Sequence, residues 1–285
     1  VTYRGEACLD EIRSAVAPFG RELARIAREP LAQLRYLRYI GRLPESGAVM
    51  LYDLGATGLS TTDIGAWLRQ CSPAQLTTLL DSVLEPGERA HFAGNSLGGF
   101  LALELGARGL ASSVTALSPA GFFRSHAEWR YTITVFRSLR RAAGRLGRHI
   151  PALTERAAGR AVMMAVLCAR PWRYPAEAAA IDSEAIVSNT VLDRADRRTF
   201  LFSAPVDENL PITIRWGRFD MVLPVGQIKL ATRLFPQAKV EITADGHVPM
   251  SDEPEGVAAS IAACAERGLA YAGAAPGVAA STAGR

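Results

Sequence analysis

The sequence predicts an α/β protein: a mostly parallel sheet with flanking helices, interrupted by a helical insertion. Three observations predict it. Apolar runs of strand length alternate with helix-length segments over residues 48–119 and again over 208–270, the rhythm of parallel strands joined by right-handed crossovers. Between these blocks, residues 120–207 are rich in Arg and Ala and broken by Pro151, Pro171 and Pro175, with few strand-like runs. A glycine-rich turn, Gly94-Asn-Ser-Leu-Gly-Gly99, joins one strand directly to a helix.

In chain order, residues 1–47 read as an atypical, Arg-rich helical segment: Leu23, Ile26, Leu31, Leu34 and Leu37 recur at helical spacing, with Pro30 as an interruption. Ala48-Val-Met-Leu-Tyr-Asp53 reads as a buried strand, and Gly55 and Gly58 supply the following turn. Ser72-Pro73 caps a helix running to about Leu84. Ala90–Asn95 is a strand, Leu97 to about Arg108 a helix, and Ser113–Leu117 the next strand. Residues 120–207 form a helical cap. The alternation resumes with Pro211–Trp216, a helix over Val225–Phe235, the strand Lys239–Thr243 and a helix over Glu255–Ala270. Residues 271–285, mostly Ala, Gly and Ser, are expected to be a disordered tail.

With 49% hydrophobic and 21% charged residues in 285, the chain suits a globular protein with one sizeable core. A net charge of +4, spread through the sequence, does not call for nucleic acid. Cys8, Cys71, Cys168 and Cys264 are far apart and include no Cys-x-x-Cys pair, so neither a zinc site nor a disulfide framework is expected. There is no basic–apolar leader pattern, and no apolar run approaches the roughly 20 residues that span a bilayer. The expectation is a cytoplasmic protein with no membrane partner.

Gly94-x-Ser96-x-Gly98 is the signature of a nucleophile elbow when it lies between an apolar strand and a helix, as it does here. Such a turn strains the serine backbone and needs small neighbours. It also aims the Leu97 N–H, at the helix start, where an oxyanion would form. A serine hydroxyl needs a base, and four histidines limit the choice. His91 lies within a strand, and His126 and His149 fall in the cap. His247, in Asp245-Gly-His-Val-Pro249, follows the final strand and can return over its end. The orienting acid should follow an intervening strand. Ser118-Pro-Ala-Gly121 offers no carboxylate, whereas Asp220 stands just beyond Ile214-Arg-Trp216. Asp245 reads as a turn residue too close in sequence to face the far nitrogen of the imidazole.

The sequence resembles the α/β-hydrolase fold superfamily, and within it the capped serine hydrolases of actinobacterial type. Tyr52-Asp-Leu-Gly-Ala-Thr-Gly-Leu-Ser60, Ala93–Gly99, Ala116–Gly121, Trp216–Asp220 with Leu223-Pro224, and Asp245–Met250 carry the resemblance over residues 48–268. It implies an eight-stranded, mostly parallel sheet, a cap between the sixth and seventh strands, no cofactor and a small-molecule substrate. Serine at the elbow disfavours the branches with a carboxylate nucleophile. One departure stands out. The family's first three strands precede Tyr52-Asp53, and the third ends in a His-Gly turn that donates a second oxyanion hydrogen bond. No such strand or turn precedes residue 48, and only Val1–Gly5 reads as an early-strand remnant. The chain is therefore expected to be truncated, to carry an N-terminus from an altered reading frame, or to have a helix in place of these strands. A missing central strand would expose a sheet edge and invite oligomerisation.

The sequence thus predicts cleavage of a small or medium apolar ester or related acyl compound. Two alternatives are a carbon–carbon bond hydrolase with the same triad and a binding-only homologue with an incomplete oxyanion hole. Met221, Val248, Phe122 and Trp129 are candidate pocket residues. The basic run Arg137, Arg140, Arg141, Arg145 and Arg148 reads as a solvated helix face without an accompanying apolar side. Gly55 and Gly58 come without the lysine or spacing of a phosphate loop.

Overall fold

A computed structural model of the chain describes residues 2–4, 48–52, 89–188, 197–200, 202 and 205–274. The expected helices before residue 48, the turn at Gly55 and Gly58, and the helix opened by Ser72 lie outside the described residues.

Six described strands form one sheet in sequence order: β1 (Thr2–Arg4), β2 (Ala48–Tyr52), β3 (Ala90–Asn95), β4 (Ala111–Leu117), β5 (Ile212–Gly217) and β6 (Lys239–Thr243). β1 runs antiparallel to β2, and every later pairing is parallel. The short N-terminal strand matches the expected remnant. The expected exposed edge beside β3 is corrected: β2 pairs directly with β3, Tyr52 opposite Gly94. Backbone ladders tolerate this closure because each strand offers the same repeat of donors and acceptors.

Helix α1 (Leu97–Ala107) follows β3 without a loop. Phe92, Val114, Ala116, Ile212, Ile214 and Trp216 pack into the main apolar cluster with Phe100 and Leu103 of α1. The alternate strand positions turn to the other face. There Ala93 and Leu117 meet Val257 and Ile261 of the long C-terminal helix. With both faces covered, β4 is buried throughout, polar Ser113 and Thr115 included.

Between β4 and β5 lie α2 (His126–Leu146), α3 (Ile150–Glu155), α4 (Ala157–Met163) and α5 (Ala176–Ser188). Ser125 caps α2, its hydroxyl accepting from the Glu128 N–H at 3.2 Å. Pro151 and Pro171 do not merely break helices here; each occupies the first turn of one. The expected absence of an apolar side to the arginine run is corrected. Trp129 and Ile133 of α2 are buried in the main cluster, and Phe136 and Leu139 pack against it.

After β5, the expected helix over Val225–Phe235 begins as a 3-10 turn, Val225–Gln227, before α6 (Ile228–Leu234). After β6 come α7 (Pro249–Asp252) and α8 (Pro254–Ala274). The boundary of the expected tail is corrected: α8 runs on through Ala274, and the Tyr271 hydroxyl donates to Asp207 at 2.7 Å. Among the described residues, no helix is long and apolar enough to cross a membrane.

Candidate active site

Parallel strands in register bring their C-terminal ends to one rim: Asn95 pairs with Leu117, Leu117 with Arg215, and Gly217 with Thr243. The loops beyond those ends carry Ser96, Ser118, Asp220 and His247, so residues distant along the chain meet at one edge.

Ser96 adopts φ 54° and ψ −114°, an unusual backbone conformation for a residue with a Cβ and one that costs about 1–3 kcal/mol. The surroundings hold it: its N–H donates to the Leu117 carbonyl at 2.9 Å, and its own carbonyl accepts from Phe100 and Ala120. Gly94 is required because a Cβ there would sit 2.3 Å from the Gly98 carbonyl group. Ser96 is half-buried, still open on one side. Leu97 opens α1, where the first-turn N–H groups lack intrahelical acceptors.

Asp220 is held from two sides. Its Oδ1 accepts from the Val222 and Leu223 N–H groups at 2.8 and 2.7 Å. The loop is braced by the Trp216 indole N–H, which donates to the Leu223 carbonyl at 2.9 Å. The free oxygen, Oδ2, lies 2.9 Å from His247 Nδ1. A carboxylate only accepts, so this contact places the proton on Nδ1 and leaves Nε2 as the imidazole's basic nitrogen. Both side chains are buried. The Asn95 amide donates to the Leu117 and His247 carbonyls at 3.0 and 2.8 Å, tying the His247 loop to the residue before Ser96.

Asp245 is corrected from a turn residue to a buried partner of an ion pair. Its Oδ2 accepts from Arg215 Nη2 at 2.8 Å and from the Thr243 hydroxyl at 2.6 Å. Arg215 also donates to Glu253 and Ser260. Sequence reasoning missed this network; the only signal was a charged residue interrupting the apolar strand Ile212-Thr-Ile-Arg-Trp216. His91 is a packed strand residue, its Nδ1 2.8 Å from the Ser113 hydroxyl. His126 and His149 lie at the N-terminus of α2 and just before α3.

The four candidate pocket residues separate. Phe122 is fully buried among Phe202, Trp216 and Phe235, so it belongs to the core and not to a cavity wall. Trp129 is buried against Phe123 and Phe200 and is likewise corrected to core. Met221 is half exposed, and its carbonyl accepts from the Tyr131 hydroxyl at 2.6 Å. Val248 packs at the margin of the main cluster. Cys168 and Cys264 are buried free thiols. Burial, reinforced by the charges of Asp252 and Asp182, pushes the Cys168 thiol far up, away from nucleophilic use. Among the described residues, no group of three or more His, Cys, Asp or Glu could hold a metal ion.

Residues 21–260 match the sequence profile described as the alpha/beta hydrolase family. The chain belongs to that family. Solved structures agree at the level of fold. A proposed lipase of Acinetobacter baumannii is 19% identical with a TM-score of 0.50, over 70% of this chain and 69% of that one. The 2-hydroxy-6-oxo-6-phenylhexa-2,4-dienoate hydrolase of a Rhodococcus species is 14% identical with a TM-score of 0.51, over 71% and 72%. This α/β-hydrolase spans about two thirds to three quarters of the length of the solved structures it matches, from 66% to 74%. Comparison with curated protein sequences finds no match.

Proposed function

We propose that this α/β-hydrolase is a serine hydrolase that cleaves a small or medium, largely apolar carboxylic ester or related acyl compound through Ser96, His247 and Asp220. The observation that carries the reading is the 2.9 Å contact of Asp220 with His247 Nδ1 on a loop tied through Asn95 to the strained elbow residue.

In this reading His247 Nε2 takes the hydroxyl proton of Ser96 as Oγ attacks the ester carbonyl. Asp220 fixes the tautomer and stabilises the imidazolium that forms. The Leu97 N–H stabilises the tetrahedral oxyanion, aided by the positive end of α1. His247 then returns the proton to the leaving alcohol oxygen. A water, deprotonated by the same nitrogen, releases the acid and restores Ser96. The insertion between β4 and β5, whose Thr132 hydroxyl and Leu167 carbonyl bond to the loops of Asp220 and His247, forms the cap in this reading, with Met221 and Val248 as candidate contacts to the acyl chain. Phe122 and Trp129 support them from the core.

A fluorophosphonate probe tests the proposal. Wild type is expected to label at Ser96 and to hydrolyse p-nitrophenyl butyrate. Ser96→Ala should not label, and His247→Ala should lose at least about 10³-fold in rate. A folded wild type that neither labels nor turns over the ester would sink the reading in favour of a binding-only role.

A further inference from the structure

One buried carboxylate close to the His247 loop has no part in the proposed reaction. Asp252, at the end of α7, is 4% exposed. It faces three backbone donors, one from the nearby His247 loop and two from the distant Ala169–Arg170 segment. Oδ2 accepts from the Gly246 N–H at 2.7 Å, immediately before His247, and from the Ala169 N–H at 2.8 Å. Oδ1 accepts from the Arg170 N–H at 2.6 Å. The Arg170 side chain donates in turn to the Asp252 carbonyl at 3.1 Å.

Two further contacts close the same joint. The Val248 N–H, immediately after His247, donates to the Leu167 carbonyl at 2.9 Å. Gly246 sits so near the insertion that a Cβ there would lie 2.7 Å from Cys168 Cα. His247 is thus held on both flanks by one short stretch, Leu167–Arg170, between α4 and the 3-10 turn at Pro171. Charge-assisted bonds to backbone N–H groups are short and roughly twice as strong as neutral ones.

We propose that Asp252 is a positioning residue: it clasps the His247 loop to the Leu167–Arg170 turn of the helical insertion, so that the insertion sets where the imidazole stands. The proposal rests on His247 being the base. It predicts that loosening the clasp misplaces the ring relative to Ser96 and spoils the proton transfer more than substrate binding. Displacements of about 1 Å at such a group cost on the order of 100-fold in rate.

The test compares full-length wild type, Asp252→Asn and Asp252→Glu. One readout is p-nitrophenyl butyrate kinetics. The other is the His247 C2-proton NMR resonance at constant pH, assigned among four histidines by its loss in His247→Ala. Asp252→Asn, which replaces one acceptor oxygen by a donor facing other donors, should lower kcat about 10- to 100-fold. KM should change by less than about threefold, and the His247 resonance should move. Asp252→Glu, which keeps both acceptors on a longer arm, should recover part of the lost kcat. A folded Asp252→Asn chain whose kcat and His247 resonance both match wild type overturns the proposal. If Asp252→Asn does not fold, Asp252→Glu decides: a moved resonance with lowered kcat supports the clasp, and an unmoved resonance overturns it. A wild type without esterase activity counts against the serine-hydrolase reading alone, because the resonance still reports on the clasp.

Discussion

The two halves of the site are held by different physics. The elbow around Ser96 is a local object: Gly94 and Gly98 lie four residues apart, and the strain at Ser96 is stabilised by backbone bonds within and beside β3, β4 and α1. The loop around His247 is fixed largely by side chains from far along the chain, Arg215 through Asp245, Asp220 through the ring and Asn95 through the carbonyl. Nearby Asp252 holds Gly246 and is itself bonded to Ala169 and Arg170 of the insertion. The first half depends on steric fit, whereas the second depends on buried polar groups that must all be satisfied together.

Removing Arg215 is the strongest way to break that comparison. Arg215→Met leaves the buried Asp245 carboxylate, among the described residues, with Thr243 as its remaining side-chain partner, and such orphaned charges cost about 3–5 kcal/mol. Urea denaturation should show the loss, and adding Asp245→Leu should recover much of it, because the uncompensated charge is gone. Recovery failing in the double variant would mean that the pair anchors the loop by geometry and not by charge balance.

Gly94→Ala probes the elbow. Its Cβ meets backbone at 2.3 Å, so α1 must shift away from β3. The expected destabilisation is about 1–3 kcal/mol, with fluorophosphonate labelling slowed on the order of 100-fold in the folded protein. Unchanged labelling would show that the elbow can relax without moving Ser96.

The smallest expected effect is a pH dependence beneath the elbow. Burial holds the His91 pKa below its ordinary 6.5. The folded state therefore resists a proton that the unfolded chain accepts. Stability from this group is fully present above pH 6.5 and declines as pH falls through that value toward the folded pKa. Between pH 7.5 and 5, the Tm of wild type should fall more steeply than that of His91→Gln; parallel slopes would remove His91 from the acid sensitivity of the fold.

The elbow was legible because its determinants are contiguous: an apolar strand, small residues around one serine, then a helix. Asp220 and His247 were legible only as positions after strands, because parallel strands in register carry such positions to a common rim. Phe122 and Trp129 misled, since an aromatic near the rim looks the same in sequence whether it lines a cavity or packs between rings. Asp245 misled in the same way, because Asp-Gly is an ordinary turn until a buried arginine faces it.

From the sequence alone came the α/β alternation, the elbow and the order Ser96, Asp220, His247, all set by local patterning that each segment carries within itself. Tertiary structure alone decided that β2 closes directly on β3, that Arg215 pairs with Asp245 and that Asp252 joins the insertion to the His247 loop. Those contacts link residues tens of positions apart, and none is written in any short stretch of chain.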